Sequence, residues 1–190
     1  MPLRSTDTGW GAGVRVFHWL IAVLIIVQGV IGLVMVEMGL TPAKVRVFAL
    51  HKSIGLTILA LVLLRIAWRL GERRPADPAA MPRWQRSMAQ AMHAVLYLLI
   101  LALPLSGWWF NSAANAPLVW FGLVDVPSLT HGYDPVWKPR ALFLHEALFW
   151  LLVALLVVHV GAALWHHFRQ RDDVLRRMVV GSNKQGGGTR

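Results

Sequence analysis

The sequence predicts an all-α integral membrane protein, a four-helix bundle that forms a single domain over residues 1–190. The first observation is composition: 56% of the residues are hydrophobic, 15% are charged and the mean hydropathy is +0.53, whereas about 25% of the residues in a soluble domain are charged. The second is that four apolar stretches are each long enough to cross a bilayer, which needs about 20 helical residues. The third is the absence of cysteine, which excludes disulfide scaffolds, thiolate metal sites and covalently attached c-type haem.

The four apolar stretches contain few polar residues. Lys52 lies near the start of the second stretch, Arg65 near its end, and Glu146 near the start of the fourth. Pro104 lies inside the third stretch and should kink that helix, while neighbouring helices satisfy the carbonyl that it frees. The predicted spans cover about residues 16–36, 47–68, 91–110 and 142–165.

The distribution of positive charge predicts the topology. Four spans place both termini and the connection after the second span on one side, which carries 14 of the 19 Lys and Arg residues. Because positive residues accumulate in cytoplasmic segments, we expect both termini to be cytoplasmic. The net charge of +10 therefore reflects membrane topology, so the expected partner is the lipid bilayer and not nucleic acid. The other side carries only Lys44, Arg46, Lys52, Lys138 and Arg140.

The connecting segments also differ in character. Residues 111–139 form the longest loop, and its tryptophans and prolines predict that it folds back as a cap over the bundle. Residues 72–82 are rich in Pro and Arg and predict an irregular connector. Residues 172–180 could form a short interfacial helix, and residues 181–190 are predicted to be a disordered tail.

The candidate functional residues are histidines in or at the mouths of spans, where ionisable residues are rare. His159 follows His145 by fourteen residues in the fourth span, which is about 21 Å along a helix and within about 40° of the same face. Given the alternating direction of the spans, His145 is level with His51, and His159 is level with His18. The sequence thus predicts two facing histidine pairs near opposite membrane surfaces.

Two facing imidazoles in a bundle without cysteine favour a bis-histidine haem b, with one imidazole on each side of the iron. A single intramembrane histidine can equally be a hydrogen-bonded packing residue. A role in packing alone does not explain why four histidines pair with each other by depth in the membrane and by helix face. Glycines in the spans could let the flat ring approach the backbone or could serve helix packing alone; they are Gly32, Gly55, Gly107 and Gly161.

Other polar residues have weaker assignments. His93, at the start of the third span, has no obvious partner and is expected to bond a haem propionate or to lie at the interface. Arg65 and Arg69 could pair with propionates or could be snorkelling topology anchors, and Lys52 could pair with the propionates of the second haem or attract anions. His166 shares a face with His159 and is a weaker rival for its role.

The chain resembles the bacterial cytochrome b561 family over nearly its whole length. The order and spacing of the motifs carry this resemblance more than any single motif does. The matching segments are Phe17-His18-Trp19, His51-Lys52-Ser53-Ile54-Gly55, Ala102-Leu103-Pro104, His145-Glu146-Ala147-Leu148, the closing run from His159 through Ala162-Ala163-Leu164-Trp165-His166-His167-Phe168, and Asp173-Val174-Leu175-Arg176-Arg177-Met178.

The resemblance implies two b haems with His18, His51, His145 and His159 as axial ligands. It also implies a multi-pass protein of the bacterial inner membrane that exchanges electrons with ubiquinone. At least one family member looks like a superoxide oxidase, so superoxide or another periplasmic donor is a candidate substrate. Two alternatives remain: a haem-bearing membrane anchor for a peripheral dehydrogenase or reductase, and a non-redox metal transporter lined by histidines.

Overall fold

Four long helices dominate the computed structural model, which describes residues 2–76 and 81–181. Each helix contains one of the apolar stretches, extends beyond it at the ends, and is long and apolar enough to cross a membrane. The predicted all-α membrane fold is therefore confirmed. The helices are α1, Ala12–Glu37; α2, Pro42–Leu70; α3, Arg83–Ala113; and α4, Trp137–Trp165.

Helices adjacent in sequence pack against each other, and the core lies between the two levels of histidines. One cluster joins Ile21 of α1 to Ile58 and Val62 of α2. A second joins Leu96 and Leu99 of α3 to Leu152 of α4, halfway in sequence between the two histidines of that helix. Large apolar side chains on the outside of the bundle are exposed, as expected for helices that face lipid.

The loop between α3 and α4 folds back onto α2. It contains a two-stranded antiparallel hairpin, with β1 at Val119–Trp120 and β2 at Val124–Asp125. Trp120 Nε1 donates to Thr57 Oγ1 over 3.1 Å, and the backbone N–H of Phe121 donates to Ser53 Oγ over 2.9 Å. The loop thus covers one end of the bundle as the sequence predicts, although the hairpin itself is not a sequence prediction.

The opposite end brings together the first described residues, the end of α2 and the segment after α4. The backbone N–H of Ser5 donates to the Glu72 carboxylate, and Trp19 Nε1 donates to the Met178 carbonyl over 3.0 Å. A π-helical turn, His166–Gln170, continues α4 and leads into the short helix α5, Val174–Val179, within the segment that the sequence marks as a short helix. The predicted disordered tail lies outside the described residues apart from Gly181.

Candidate functional site

The first histidine pair, which we call the hairpin-side pair, consists of His51 on α2 and His145 on α4. The two ring centroids lie 6.3 Å apart, and the ring planes are inclined by 80°. His145 Nδ1 lies 3.0 Å from the Leu103 carbonyl oxygen and 3.0 Å from Ser106 Oγ. Because a carbonyl oxygen only accepts, Nδ1 carries the ring proton and leaves the lone pair of Nε2 available for a metal.

Glycines allow neighbouring helices to approach these two rings. A β-carbon at Gly107 of α3 would lie 3.0 Å from His145 Cε1, and one at Gly32 of α1 would lie 3.2 Å from His51 Cε1. A β-carbon at Gly55 would instead meet the Gln28 side chain, and at Gly161 nothing lies within 4 Å. Two of the four candidate glycines therefore adjoin the imidazoles directly.

A cavity of about 900 Å³ surrounds the hairpin-side pair, a size typical of cofactor and small-molecule pockets. Its wall is largely apolar and includes both imidazoles. Lys52 also lines it, and its ammonium group donates to Asn111 Oδ1 over 3.2 Å and to the Pro117 carbonyl over 2.6 Å. Lys52 is thus held in the cavity wall by the end of α3 and by the loop that follows it.

The second pair, which we call the terminus-side pair, consists of His18 on α1 and His159 on α4. Their ring centroids lie 6.4 Å apart, with planes inclined by 65°. His93 of α3 joins this group, since its ring centroid is 5.4 Å from that of His159, and its Nδ1 lies 2.6 Å from the Ala89 carbonyl oxygen. The sequence left His93 without a partner, but the packing of α3 on α4 provides one.

Two arginines of α2 point towards the terminus-side pair. Arg65 Nη1 lies 3.2 Å from His18 Nδ1, and its guanidinium carbon lies 5.5 Å from the centre of the Tyr97 ring. Arg69 Nη1 donates to the Tyr97 hydroxyl over 3.4 Å. Both arginine side chains are half-buried, and both make contact with side chains inside the bundle. Arginines that snorkel would instead extend to the membrane surface.

Comparison with known proteins decides the family. The family model described as prokaryotic cytochrome b561 matches residues 9–181, a range that includes all four helices and both histidine pairs. The chain belongs to the prokaryotic cytochrome b561 family. It is therefore a multi-pass bacterial membrane cytochrome that binds haem b and takes part in electron transport.

Three curated relatives extend this assignment. Cytochrome b561 homolog 2 of Escherichia coli K12 is 33% identical over 98% of this chain and 100% of its own length. Cytochrome b561 homolog 1 of the same strain is 31% identical over 68% of this chain and 72% of its own length. The probable superoxide oxidase CybB of Yersinia pestis is 29% identical over 85% of this chain and 90% of its own length.

The geometry of both pairs of this cytochrome fits haem. A metal–imidazole bond of about 2 Å places each ring centroid about 3 Å from the metal, so two imidazoles on one iron have centroids about 6 Å apart. The observed separations are 6.3 and 6.4 Å. Within residues 2–76 and 81–181, no three His, Asp or Glu side chains form a group that could hold a metal ion. Two imidazoles therefore suit a metal whose remaining ligands belong to a cofactor, as those of haem iron do.

Several residues at these sites escaped the sequence analysis. Gln28, Tyr97 and Ser106 contact the histidines or their arginine neighbours, and the detectable signal for Gln28 was a lone amide within an apolar span. His166, the weaker rival ligand, lies away from both pairs, because its Nδ1 bonds the Asp172 carboxylate in the π-helical turn. Glu146 lines the cavity beside His145.

Proposed function

We propose that this cytochrome binds two b haems and carries electrons between them from superoxide to ubiquinone. The axial ligands in this proposal are His51 and His145 for one haem, and His18 and His159 for the other. The observation that carries it is the presence of two facing pairs with nearly equal ring separations, 6.3 and 6.4 Å, near opposite ends of the bundle. When bound, haem iron supplies one-electron chemistry by cycling between its ferric and ferrous states.

The protein fixes the ligands of the hairpin-side haem. Leu103 and Ser106 hold Nδ1 of His145 and so set the orientation of its ring. Gly32 and Gly107 leave the space that the two rings occupy. The apolar clusters between the two pairs exclude water from the middle of the bundle, so the protein would surround the two cofactors with a region of low dielectric constant.

Arg65 and Arg69 have a different role in this proposal, the binding of haem propionates. A histidine that ligates iron through Nε2 keeps its proton on Nδ1. His18 Nδ1 then cannot accept from Arg65, which lies 3.2 Å away. The guanidinium must turn to another acceptor, and a propionate carboxylate offers a charge-assisted bond. His93 lies on the same side, but its Nδ1 already donates to the Ala89 carbonyl, so the neutral ring has no N–H left for a propionate.

The choice of superoxide as donor rests on the name of the Yersinia relative, because five Lys and Arg residues against four Asp and Glu residues leave the hairpin side with a net charge of only +1. Lys52 supplies a local positive charge there. The two groups that hold the Lys52 ammonium, Asn111 Oδ1 and the Pro117 carbonyl, are uncharged, so they leave its positive charge available to attract an anion. Two superoxide ions lose one electron each and become O₂, while one ubiquinone gains two electrons and two protons. In this proposal the hairpin side faces the periplasm and both termini face the cytoplasm, as the distribution of positive charge in the sequence predicts.

The test is a direct assay on the purified protein in detergent or nanodiscs. Superoxide is generated enzymatically in the presence of a short-chain ubiquinone, and reduction of the haem and formation of quinol are followed optically. We expect superoxide to reduce the haem and quinol to accumulate at a rate proportional to protein concentration. The matched variant Lys52→Met should lower the rate with superoxide while leaving haem reduction by quinol unchanged.

Two results would overturn the proposal at different points. A protein that holds two b haems but is reduced only by quinol would be an electron carrier or the membrane anchor of a partner enzyme. A folded, haem-supplied protein that holds no haem would instead leave a non-redox role for the histidines.

A further inference from the structure

Gln28 is a half-buried amide on a helix whose neighbouring residues are apolar. It lies in the middle of α1, and every residue from Leu20 to Val27 and from Gly29 to Val36 is apolar or glycine. The side chain lines the cavity of the hairpin-side pair. An amide in a membrane span destabilises the protein unless both its oxygen and its nitrogen are hydrogen-bonded. The groups that Gln28 contacts therefore indicate its role.

Only one end of this amide has a partner. Nε2 donates to the backbone carbonyl of His51 over 2.6 Å, and because a carbonyl only accepts, the bonded atom must be the NH₂ group. Oε1 is buried and has no hydrogen-bond partner among residues 2–76 and 81–181. Gln28 therefore contacts the ligand residue His51 and retains an unused acceptor.

Within the described part of the chain, His51 also has a polar atom without a hydrogen-bond partner, and this atom is a potential donor. Its Nδ1 is also buried without a partner, whereas Nδ1 of the facing His145 has both Leu103 and Ser106. A histidine that ligates iron through Nε2 has a proton on Nδ1, and that N–H almost always donates to an acceptor. The two unpaired atoms are thus a donor and an acceptor on residues that are already hydrogen-bonded to each other.

We propose that Gln28 Oε1 accepts the hydrogen bond of His51 Nδ1–H and so positions this ligand. Gly32, one turn after Gln28 on α1, allows the approach, because a β-carbon there would lie 3.2 Å from His51 Cε1 and 3.7 Å from Nδ1. Helix α1 supplies no ligand to the hairpin-side pair, yet through Gln28 it controls the imidazole that does. This inference rests on the proposed haem ligation by His51.

The consequence of this bond is a lower reduction potential for the hairpin-side haem. An acceptor on Nδ1–H makes the imidazole more basic, which stabilises the ferric state relative to the ferrous state. Removing the acceptor should therefore raise the midpoint potential of this haem and leave the terminus-side haem unchanged.

The experiment is an optical redox titration of the haem-loaded protein and of three variants at residues 27 and 28. Gln28→Leu removes the acceptor and should raise the midpoint potential of the component that His145→Ala deletes. Gln28→Glu keeps an acceptor oxygen whether or not it is protonated, so its potential should stay at or below the wild-type value. Val27→Leu, at an exposed position on the same helix, should change neither component.

The proposal is overturned if Gln28→Leu leaves both potentials unchanged, or if Gln28→Glu raises the potential as Gln28→Leu does. A purely structural role would lower haem content in both variants without separating their potentials. If Gln28→Leu does not assemble, the size-matched Gln28→Met replaces it with the same expected rise. A wild-type protein without two b haems overturns the proposed function itself, which is a separate result from unshifted potentials in a di-haem protein.

Discussion

Gly107 and the imidazole of His145 are so close that even a methyl side chain at residue 107 would press on the ring. A β-carbon at Gly107 would lie 3.0 Å from Cε1 and 3.3 Å from Nδ1 of the ring. The ring cannot retreat freely, because the Leu103 carbonyl and Ser106 Oγ hold its Nδ1. Gly107 therefore determines how closely the His145 imidazole of α4 approaches α3.

Replacing Gly107 by alanine should disturb the hairpin-side haem selectively. The added methyl group would push the His145 ring away from its hydrogen-bond acceptors, and overpacking of this kind costs about 1–3 kcal/mol. We expect Gly107→Ala to lower occupancy of that haem or to shift its potential, as measured by haem quantitation and redox titration.

The matched control is Gly161→Ala. In the part of the chain that the structure describes, no protein atom lies within 4 Å of the β-carbon that this change adds, and alanine is about 1 kcal/mol more favourable than glycine inside a helix. Both haems should be retained in full. Equal loss of haem in the two variants would show that Gly107 contributes to helix formation and not to placing the ring.

His93→Ala should leave two haems per chain. The ring centroid of His93 lies 5.4 Å from that of His159, and the ring centroid of His18 lies 6.4 Å from it. Two imidazoles that bind one iron require a centroid separation of about 6 Å or slightly more. His18 therefore fits the role of ligand better than His93. The measurement is the pyridine haemochrome content per chain. Loss of a whole haem equivalent in His93→Ala, with full content in His18→Ala, would reassign the terminus-side ligand to His93.

Arg65→Met should lower the potential of the terminus-side haem without removing it. Reduction takes one positive charge from the iron, so a cation nearby favours the reduced state. At a separation of about 10 Å and an effective dielectric constant of about 20, the loss amounts to roughly 1–2 kcal/mol.

The control for this variant is Arg73→Met. Arg73 is exposed just beyond the end of α2, where solvent screens its charge, so the substitution should leave both potentials unchanged. An Arg65→Met protein with unaltered potentials would show that this guanidinium does not lie near the haem.

Ser53→Ala should destabilise the loop that covers the hairpin side. Ser53 is 1% exposed, and its Oγ accepts from the backbone N–H of Phe121 while donating to the Ala49 carbonyl. Loss of this partly buried hydrogen bond should cost about 0.5–1.5 kcal/mol, which should appear as a lower apparent melting temperature in detergent.

Ser128→Ala in the exposed part of the same loop is the comparison, because Ser128 bonds only within residues 128–130. Its melting temperature should match the wild type. Equal effects of the two substitutions would remove the reason for assigning an anchoring role to Ser53.

The histidine geometry could be predicted because it follows from helix periodicity and alternating span direction alone. The fourteen-residue spacing of His145 and His159 puts them on one face, and the connectivity sets which histidine lies opposite each. The rotation of one helix relative to its neighbour is not contained in such spacing. For that reason the sequence could not place His93 beside His159. Nor could it distinguish Gly107, which adjoins the His145 ring, from Gly161, where an added β-carbon would meet no described protein atom within 4 Å.

The polar partners of the histidines were harder to predict for a related reason. Gln28, Ser106 and Tyr97 act through hydrogen bonds between helices, and these depend on packing that brings distant residues together. Arg65 and Arg69 had two sequence interpretations, and only the contacts with His18 and Tyr97 favour the inward one. The hairpin at Val119–Asp125 consists of strands too short to show a period-two pattern.

The most direct test of the central claim is haem quantitation with reduced-minus-oxidised spectra of four single variants, His18→Ala, His51→Ala, His145→Ala and His159→Ala. The wild type should hold two b haems per chain. His51→Ala and His145→Ala should delete one and the same spectral component, and His18→Ala and His159→Ala should delete the other. Loss of one common component in His51→Ala and His159→Ala would contradict the pairing, and absence of haem from the folded, haem-supplied wild type would contradict the account as a whole.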